Sequence, residues 1–227
     1  TGYAVHAGLW SGTAGSFVDL NPTPNGSSMA FGMDGNQQVG TASSSTVTFG
    51  ASLWMGTASS WVDLHPTSAT GSTARAVHAG VQVGEATVGG VLSASLWTGT
   101  KASWANLNPT GATGSSLWDV HGSIQAGWAR IGGQTHAGKW TGTAASFIDL
   151  NPTGATSSVA YSTHGGLVVG EALIGTSRKA SFWSGGASTW DDLHAYLPTG
   201  FTSSEARTIW IDSTTITIAG FGWNSTN

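Results

Sequence analysis

One stretch of sequence recurs along the chain with small changes. WTGTAASFIDLNPTGATSSVA begins at Trp140, and close copies begin at Trp10, Trp54 and Trp97. Trp183 stands in the same context, so the successive steps are 44 residues and then 43, 43 and 43. A period in this range is typical of solenoids and of propeller blades, which take about 40–50 residues for four strands.

The pattern within one repeat decides between helices and strands. Short runs rich in Val, Ile, Trp, Phe and Thr are separated by Gly, Asn and Pro, which is typical of strands joined by tight turns. No window carries the i, i+3, i+4 apolar stripe of an amphipathic helix. In the repeat from 157 to 193 we therefore predict four strands, at Ser158–Thr163, Leu167–Ala172, Lys179–Trp183 and Thr189–Leu193.

The strands predicted at the two ends of the chain complete the number of blades. The sequence opens with a third and a fourth strand, Val5–Trp10 and Ser16–Leu20, and closes with a first and a second, Ala206–Ile211 and Thr215–Gly220. The sequence thus predicts an all-β, five-bladed β-propeller with four-stranded antiparallel blades, the closing blade being shared by the N-terminal and C-terminal segments. We expect a single domain over residues 1–227, since a closed ring buries its sheets without end caps.

Composition narrows the possible partners. Charged residues make up 8% of the chain, the net charge is −4 and no basic run occurs, so nucleic acid is not expected as a partner. No apolar run approaches the ~18 residues of a membrane helix, so no membrane insertion is expected. The chain has no cysteine for a disulfide or a thiolate metal site. We expect a monomer without a cofactor or a metal.

Candidate site residues are sought where the repeats differ. One position, which follows a small residue in most first strands, holds Phe31, Arg75, Trp118, Tyr161 and Arg207. Pseudo-symmetry predicts that these side chains form a ring near one mouth of the channel. Aromatic rings stack on the CH faces of sugars, and arginine donates to hydroxyls or carboxylates from a fixed fork. The alternative is that these side chains pack between blades.

A second set lies at the first hairpin of each repeat. It comprises Asp34, His78, His121, His164 and Asp212. Histidine and aspartate at equivalent positions could bind a divalent metal if the ring were narrow. We favour the alternative, because Asp-Gly and His-Gly are ordinary turn dipeptides and hairpin tips are expected to lie too far apart.

The acids outside the repeated turn motif offer an enzymatic alternative. Asp119 and Glu205 could face the axis, as paired carboxylates do in glycosidases. Glu85 and Glu171 recur at one second-strand position, which indicates a structural role. No nucleophile motif occurs, so we assign no catalytic residue.

The repeats resemble a known bacterial family. HAGLW at 6–10 and HAGKW at 136–140, each followed by an Asp-Leu turn, resemble the extracellular HAF repeat. The predicted architecture is similar to five-bladed lectins of the tachylectin type. The resemblance to HAF repeats implies a secreted or cell-surface location and no settled activity, whereas the similarity to lectins concerns architecture alone. A lectin-like, carbohydrate-binding role is expected from the candidate site residues.

Together these observations favour a non-enzymatic, extracellular binding module that recognises glycan or extracellular matrix. Two alternatives stay open. One is a glycoside-active enzyme with carboxylates in the axial pocket, and the other is a ligand-free structural or designed symmetric propeller.

Overall fold

A computed structural model describes residues 4–24, 26–44 and 47–225. The chain divides into two compact units, Thr1–Asn106 and Leu107–Asn227. The predicted single domain over 1–227 extends at both ends beyond the described residues and stays a prediction. Of the helices in the described ranges, none has the length and apolar character needed to cross a membrane.

The first unit contains three antiparallel sheets. Its first two strands pair with each other, and the next eight form two four-stranded sheets in chain order. The strands are β1 (Gly8–Leu9), β2 (Val18–Asp19), β3 (Ser28–Asp34), β4 (Gln37–Ala42), β5 (Gly50–Trp54), β6 (Val62–Asp63), β7 (Ala69–His78), β8 (Val81–Val88), β9 (Val91–Trp97) and β10 (Ala105–Asn106).

The second unit also contains three antiparallel sheets. Two have four strands in chain order, and the last two strands pair with each other. The strands are β11 (Ser115–His121), β12 (Ile124–Ile131), β13 (Gln134–Trp140), β14 (Ile148–Asp149), β15 (Ala155–His164), β16 (Leu167–Ile174), β17 (Ser177–Trp183), β18 (Trp190–Asp192), β19 (Phe201–Ile211) and β20 (Ile216–Asn224).

The predicted fold class is confirmed. The described residues are all-β, with four four-stranded sheets and a two-stranded sheet near each end of the chain, which is the sheet make-up of a five-bladed β-propeller with a divided blade. The strand order within each repeat is also the predicted one. First strands are longer than predicted; β15, for example, spans Ala155–His164 rather than Ser158–Thr163.

Short 3₁₀ helices in the described residues were not predicted. Five lie between the third and fourth strands of the repeats, at Ala14–Ser16, Ala58–Ser60, Lys101–Ser103, Ala144–Ser146 and Ala187–Thr189. Thr57 with Ser60, and Thr143 with Ser146, form reciprocal capping boxes around two of them. A sixth, Leu193–Tyr196, occupies the insertion that lengthens the last repeat.

The Asp-Leu-Asn-Pro motif, which recurs at 19–22 and 149–152, turns a corner between repeats. Asp149 Oδ1 accepts from the backbone N–H of Asn151, while Asn151 Oδ1 accepts from Ser158 Oγ. Ser158 Oγ in turn accepts from the backbone N–H of Ala137. The motif residues are thus used to join the fourth strand to the next first strand.

Tryptophans at the ends of the third strands form the core. Trp54, Trp97, Trp140 and Trp183 are fully buried, whereas Trp10 is 58% exposed. Burial of an aromatic side chain of this size dominates the apolar area of each repeat. The recurring 43-residue spacing therefore reflects the repeated burial of one indole ring.

Candidate ligand-binding site

The five predicted site residues share one backbone feature. In every first strand, pairing with the second strand skips the candidate residue and leaves it as a β-bulge; β7, β15 and β19 skip a second residue nearer their start. The skipped candidate residues are Phe31, Arg75, Trp118, Tyr161 and Arg207. A bulge bends its strand and re-aims the extra side chain, and bulges are common next to functional sites.

A glycine faces each bulge from the second strand. Gly170 pairs with Ala160, and a Cβ on Gly170 would lie 1.9 Å from the carbonyl oxygen of Val159. Gly40, Gly84, Gly127 and Gly220 face their bulges in the same way, with equivalent distances of 1.8–2.0 Å. The close backbone approach at the bulge explains why glycine recurs there.

In the second unit, the structure brings three of the candidates together. The rings of Trp118 and Tyr161 stack with centroids 5.0 Å apart and planes at 29°. The guanidinium of Arg207 lies 3.9 Å from the centroid of Tyr161, and 5.3 Å from that of Phe221. Trp118 and Tyr161 are half-buried and Arg207 is exposed. We call these three residues the aromatic row.

The other two candidates lie in the first unit. Phe31 is 49% exposed. Arg75 makes a bidentate ion pair with Glu85, in which Nε and Nη2 each lie 2.7 Å from a carboxylate oxygen. The aromatic row is thus the part of the predicted ring that forms a cluster, and a single ring of five stays a prediction.

Two buried carboxyl groups lie beside the aromatic row. Glu171 on β16 is 4% exposed, and Glu205 on β19 is 6% exposed. The Glu205 carboxyl is close enough to raise the pKa of Glu171, and the Tyr161 hydroxyl is close enough to lower it. We call Glu171 and Glu205 the carboxyl pair. Two buried carboxylates repel each other, so this arrangement favours a proton on Glu171.

Two arginines balance the charge of the carboxyl pair. Arg178 forms an ion pair with Glu171, and Arg207 forms one with Glu205. Glu205 Oε2 and Glu171 Oε2 nevertheless lack a partner in hydrogen-bond geometry, so the Arg207 contact is electrostatic rather than a directed hydrogen bond.

The environment shifts the protonation of this cluster. Burial, followed by the Glu205 carboxyl, raises the pKa of Glu171 to about 7, although Arg178 acts in the opposite direction. Burial and the two carboxylates also raise the pKa of Tyr161 well above its usual range. Tyr161 therefore keeps its proton.

The acids considered above for an enzyme, Asp119 and Glu205, do not form a cluster of this kind. Asp119 accepts hydrogen bonds from the backbone N–H of Val120 and Thr163 and from Ser162 Oγ, at 2.7–2.8 Å. Burial raises the pKa of Asp119, while these three donors act to lower it. The oxygens of Asp119 are thus used to join β11 to β15.

The hairpin residues considered for a metal make other contacts. The rings of His121 and His164 stack at 3.8 Å, and the backbone N–H of Gly165 donates to His121 Nδ1. Asp34 accepts from the backbone N–H of Ala79, and Asp212 accepts from those of Thr214 and Thr215. Within the described ranges, no group of three or more His, Cys, Asp or Glu side chains could hold a metal ion.

Comparison with known proteins identifies no family, so the class of this protein is defined by its fold. The sequence matches no protein-family model and no curated protein. The chain is therefore an all-β repeat protein with the sheet make-up of a five-bladed β-propeller. Its resemblance to HAF repeats and to tachylectin-type lectins stays an interpretation of its motifs and architecture.

Sequence reasoning missed the carboxyl pair. Glu171 was set aside because Glu85 repeats it, and Glu205 was paired with Asp119 instead. One signal was available: Glu205 occupies the position of Val159 and Thr73, directly before the small residue that precedes the bulge. A lone acid at a position that is otherwise uncharged indicates a function of its own.

Proposed function

We propose that the chain is a non-enzymatic, secreted or cell-surface module that binds carbohydrate, on a glycan or in the extracellular matrix. We further propose that it acts as a monomer. The observation that carries the proposal is the aromatic row, in which two half-buried rings and an exposed guanidinium lie side by side on bulged residues.

The row supplies the contacts that a sugar uses. Aromatic edges and faces left uncovered by the stack offer apolar contact to CH groups, and Arg207 offers N–H donors to hydroxyls. Packing between sheets accounts for the covered part of each ring. A ligand could reach the part that is exposed to solvent. For Arg207, 42% of the side-chain surface is exposed.

Ligand-binding bulges in several repeats would favour multivalent glycans. Phe31 and Arg75 present related side chains from the first unit. Weak sites on one molecule gain avidity when their spacing matches that of repeated sugars.

A glycan-array screen tests the proposal. The purified chain is compared with a Trp118→Ala/Tyr161→Ala double variant and with Phe31→Ala, which removes an exposed ring at the equivalent bulge of the first unit. We expect the double variant to lose binding while it still unfolds cooperatively, and Phe31→Ala to keep most of it.

Each other outcome is informative. Binding that survives in the double variant would keep a carbohydrate-binding protein but reject the aromatic row as its site. Absence of binding to any glycan or matrix polysaccharide would contradict the proposed function and favour a ligand-free structural protein.

A further inference from the structure

A cavity of about 340 Å³ lies in the second unit, and none of the three residues of the aromatic row lines it. Most of its walls are apolar, and Ser204 and Glu205 contribute polar side chains. The apolar walls used in the argument are Ala180, Leu193, Leu197, Phe201, Ala206 and Phe221.

The preceding repeat fills the same place with an indole ring. There, Trp183 is fully buried in a cluster with Ala137, Leu150, Ala160 and Val168. One repeat further on, their equivalents are Ala180, Leu193, Ala206 and Ile218, and all four line the cavity. These four cavity residues belong to one apolar cluster with Val169 and Ile209, and no tryptophan is among the described members of that cluster.

The first unit repeats the arrangement twice. Trp97 is buried in a cluster with Ala51, Leu64 and Ala74. Trp54 is buried in one with Ala7 and Leu20, which occupy the positions of Ala51 and Leu64. An alanine from a third strand and the leucine that follows a fourth strand thus form a cradle for an indole ring.

The apolar body of the indole carries most of this recognition. Trp140 Nε1 donates to the carbonyl oxygen of Leu107 at 3.0 Å. The Nε1 atoms of Trp54, Trp97 and Trp183 are buried without a hydrogen-bond partner. A ring held in the cavity therefore needs an indole-like shape more than an N–H group, although the Leu193 carbonyl is the equivalent acceptor.

Three further walls distinguish the cavity from the other cradles. Phe201 occupies the position of Ala155, and Phe221 occupies that of Glu171. Leu197 belongs to the insertion of the last repeat. These substitutions add apolar surface around the cradle, as a site for an aromatic ligand requires.

We propose that this cavity is a binding site for an indole ring or a bicyclic aromatic of similar shape. A dry cavity of about 150 Å³ is enough for benzene, so 340 Å³ accommodates a two-ring ligand. None of the three residues of the aromatic row lines this cavity, so different variants test the two proposals and each can fail without the other.

The test uses free indole, with indene as the analogue that lacks the N–H group. Calorimetric titration and thermal unfolding are carried out on the whole chain. At ten times the dissociation constant we expect indole to raise Tm by roughly 3–6 °C. We expect indene to bind within about tenfold of indole, since shape dominates the contacts.

Two matched alanine variants locate the site. Ala180→Leu fills the cavity and is expected to abolish indole binding without lowering Tm. Ala137→Leu makes the same change where Trp183 already fills the cradle, so it should lower Tm and leave indole binding unchanged. Undiminished indole binding in Ala180→Leu would overturn the proposed location.

A third variant distinguishes two possible origins of an indole ring bound in the cavity. Trp10 is the exposed member of the repeated tryptophans, so another indole is available on the polypeptide itself. Indole binding by the wild type assigns the site to a small aromatic compound. Binding only by Trp10→Ala assigns it to a tryptophan side chain. Failure of both proteins to bind indole would overturn the proposal.

Discussion

Glu171 and Glu205 are buried carboxyl groups on adjacent sheets, and the Glu205 carboxyl adds to the effect of burial in raising the pKa of Glu171. This part of the structure is most stable while Glu171 holds a proton, because burial and a neighbouring carboxyl both disfavour its charged form. The junction between the third sheet of the second unit, β19–β20, and the sheet before it is therefore sensitive to pH.

Stability should fall as the pH rises from about 4.5 to about 7. The folded chain holds the Glu171 proton up to about pH 7, whereas the unfolded chain releases it near the ordinary value of 4.5. The stabilisation is complete below the unfolded pKa and is lost as the pH passes the folded pKa. Glu171→Gln should flatten this slope, as measured by urea unfolding between pH 5 and pH 8. Glu205→Gln should reduce the slope without abolishing it, because burial is the larger cause of the raised pKa of Glu171 and Glu205 the smaller. A wild-type slope in both variants would contradict the raised pKa of Glu171.

Asp119→Ala should destabilise the second unit by about 3 kcal/mol. The substitution leaves two backbone N–H groups and the Ser162 hydroxyl without their acceptor. Asp191→Ala, at an exposed acid of β18, is the control and should change the free energy of unfolding by less than about 0.5 kcal/mol. Equal losses in the two variants, measured by denaturant unfolding, would show that Asp119 does not join the strands.

Gly170→Ala should cost about 1–3 kcal/mol, because its methyl group would meet the Val159 carbonyl and the strands must separate. Gly71→Ala is the matched change on a first strand, where a Cβ meets no atom within 4 Å. It should be neutral or slightly stabilising, since alanine restricts the unfolded chain. Thermal unfolding of the two variants measures the difference, and a neutral Gly170→Ala would be inconsistent with the close approach at the bulge.

Trp183→Ala should destabilise the protein by about 3–5 kcal/mol, as expected for removal of a fully buried aromatic side chain. Trp10→Ala removes the same side chain from a position that is 58% exposed, and should cost about 1 kcal/mol or less. A loss in Trp10→Ala as large as that in Trp183→Ala would contradict the exposed position of Trp10. Both free-energy changes are to be measured by urea denaturation, with far-ultraviolet circular dichroism as the signal.

The repeat accounts for what could be predicted from sequence. Each 43-residue copy repeats one buried indole, so the number, order and approximate bounds of the strands follow from the spacing of Trp54, Trp97, Trp140 and Trp183. The residues at the bulges were also singled out, because the copies differ at a position that follows a small residue in most first strands. The candidate site residues thus emerged from comparison within the chain.

Contacts between repeats could not be predicted in the same way. Glu171 and Glu205 come from different strand types, so no comparison of equivalent positions pairs them. Asp119 was expected at the axis, but its oxygens are taken up by donors of the next sheet, Ser162 and Thr163. Such contacts depend on how neighbouring sheets are rotated and spaced, which the period of the sequence does not specify.

The β-bulge has a consequence for how this protein could change over time. A bulged residue has no opposite partner in its sheet, so its side chain is free of the pairing rules that restrict the rest of the strand. Phenylalanine, arginine, tryptophan and tyrosine already occupy that position in one chain, on nearly the same backbone. The fold thus offers a set of replaceable positions at which new recognition properties can be acquired without rebuilding the sheets that display them.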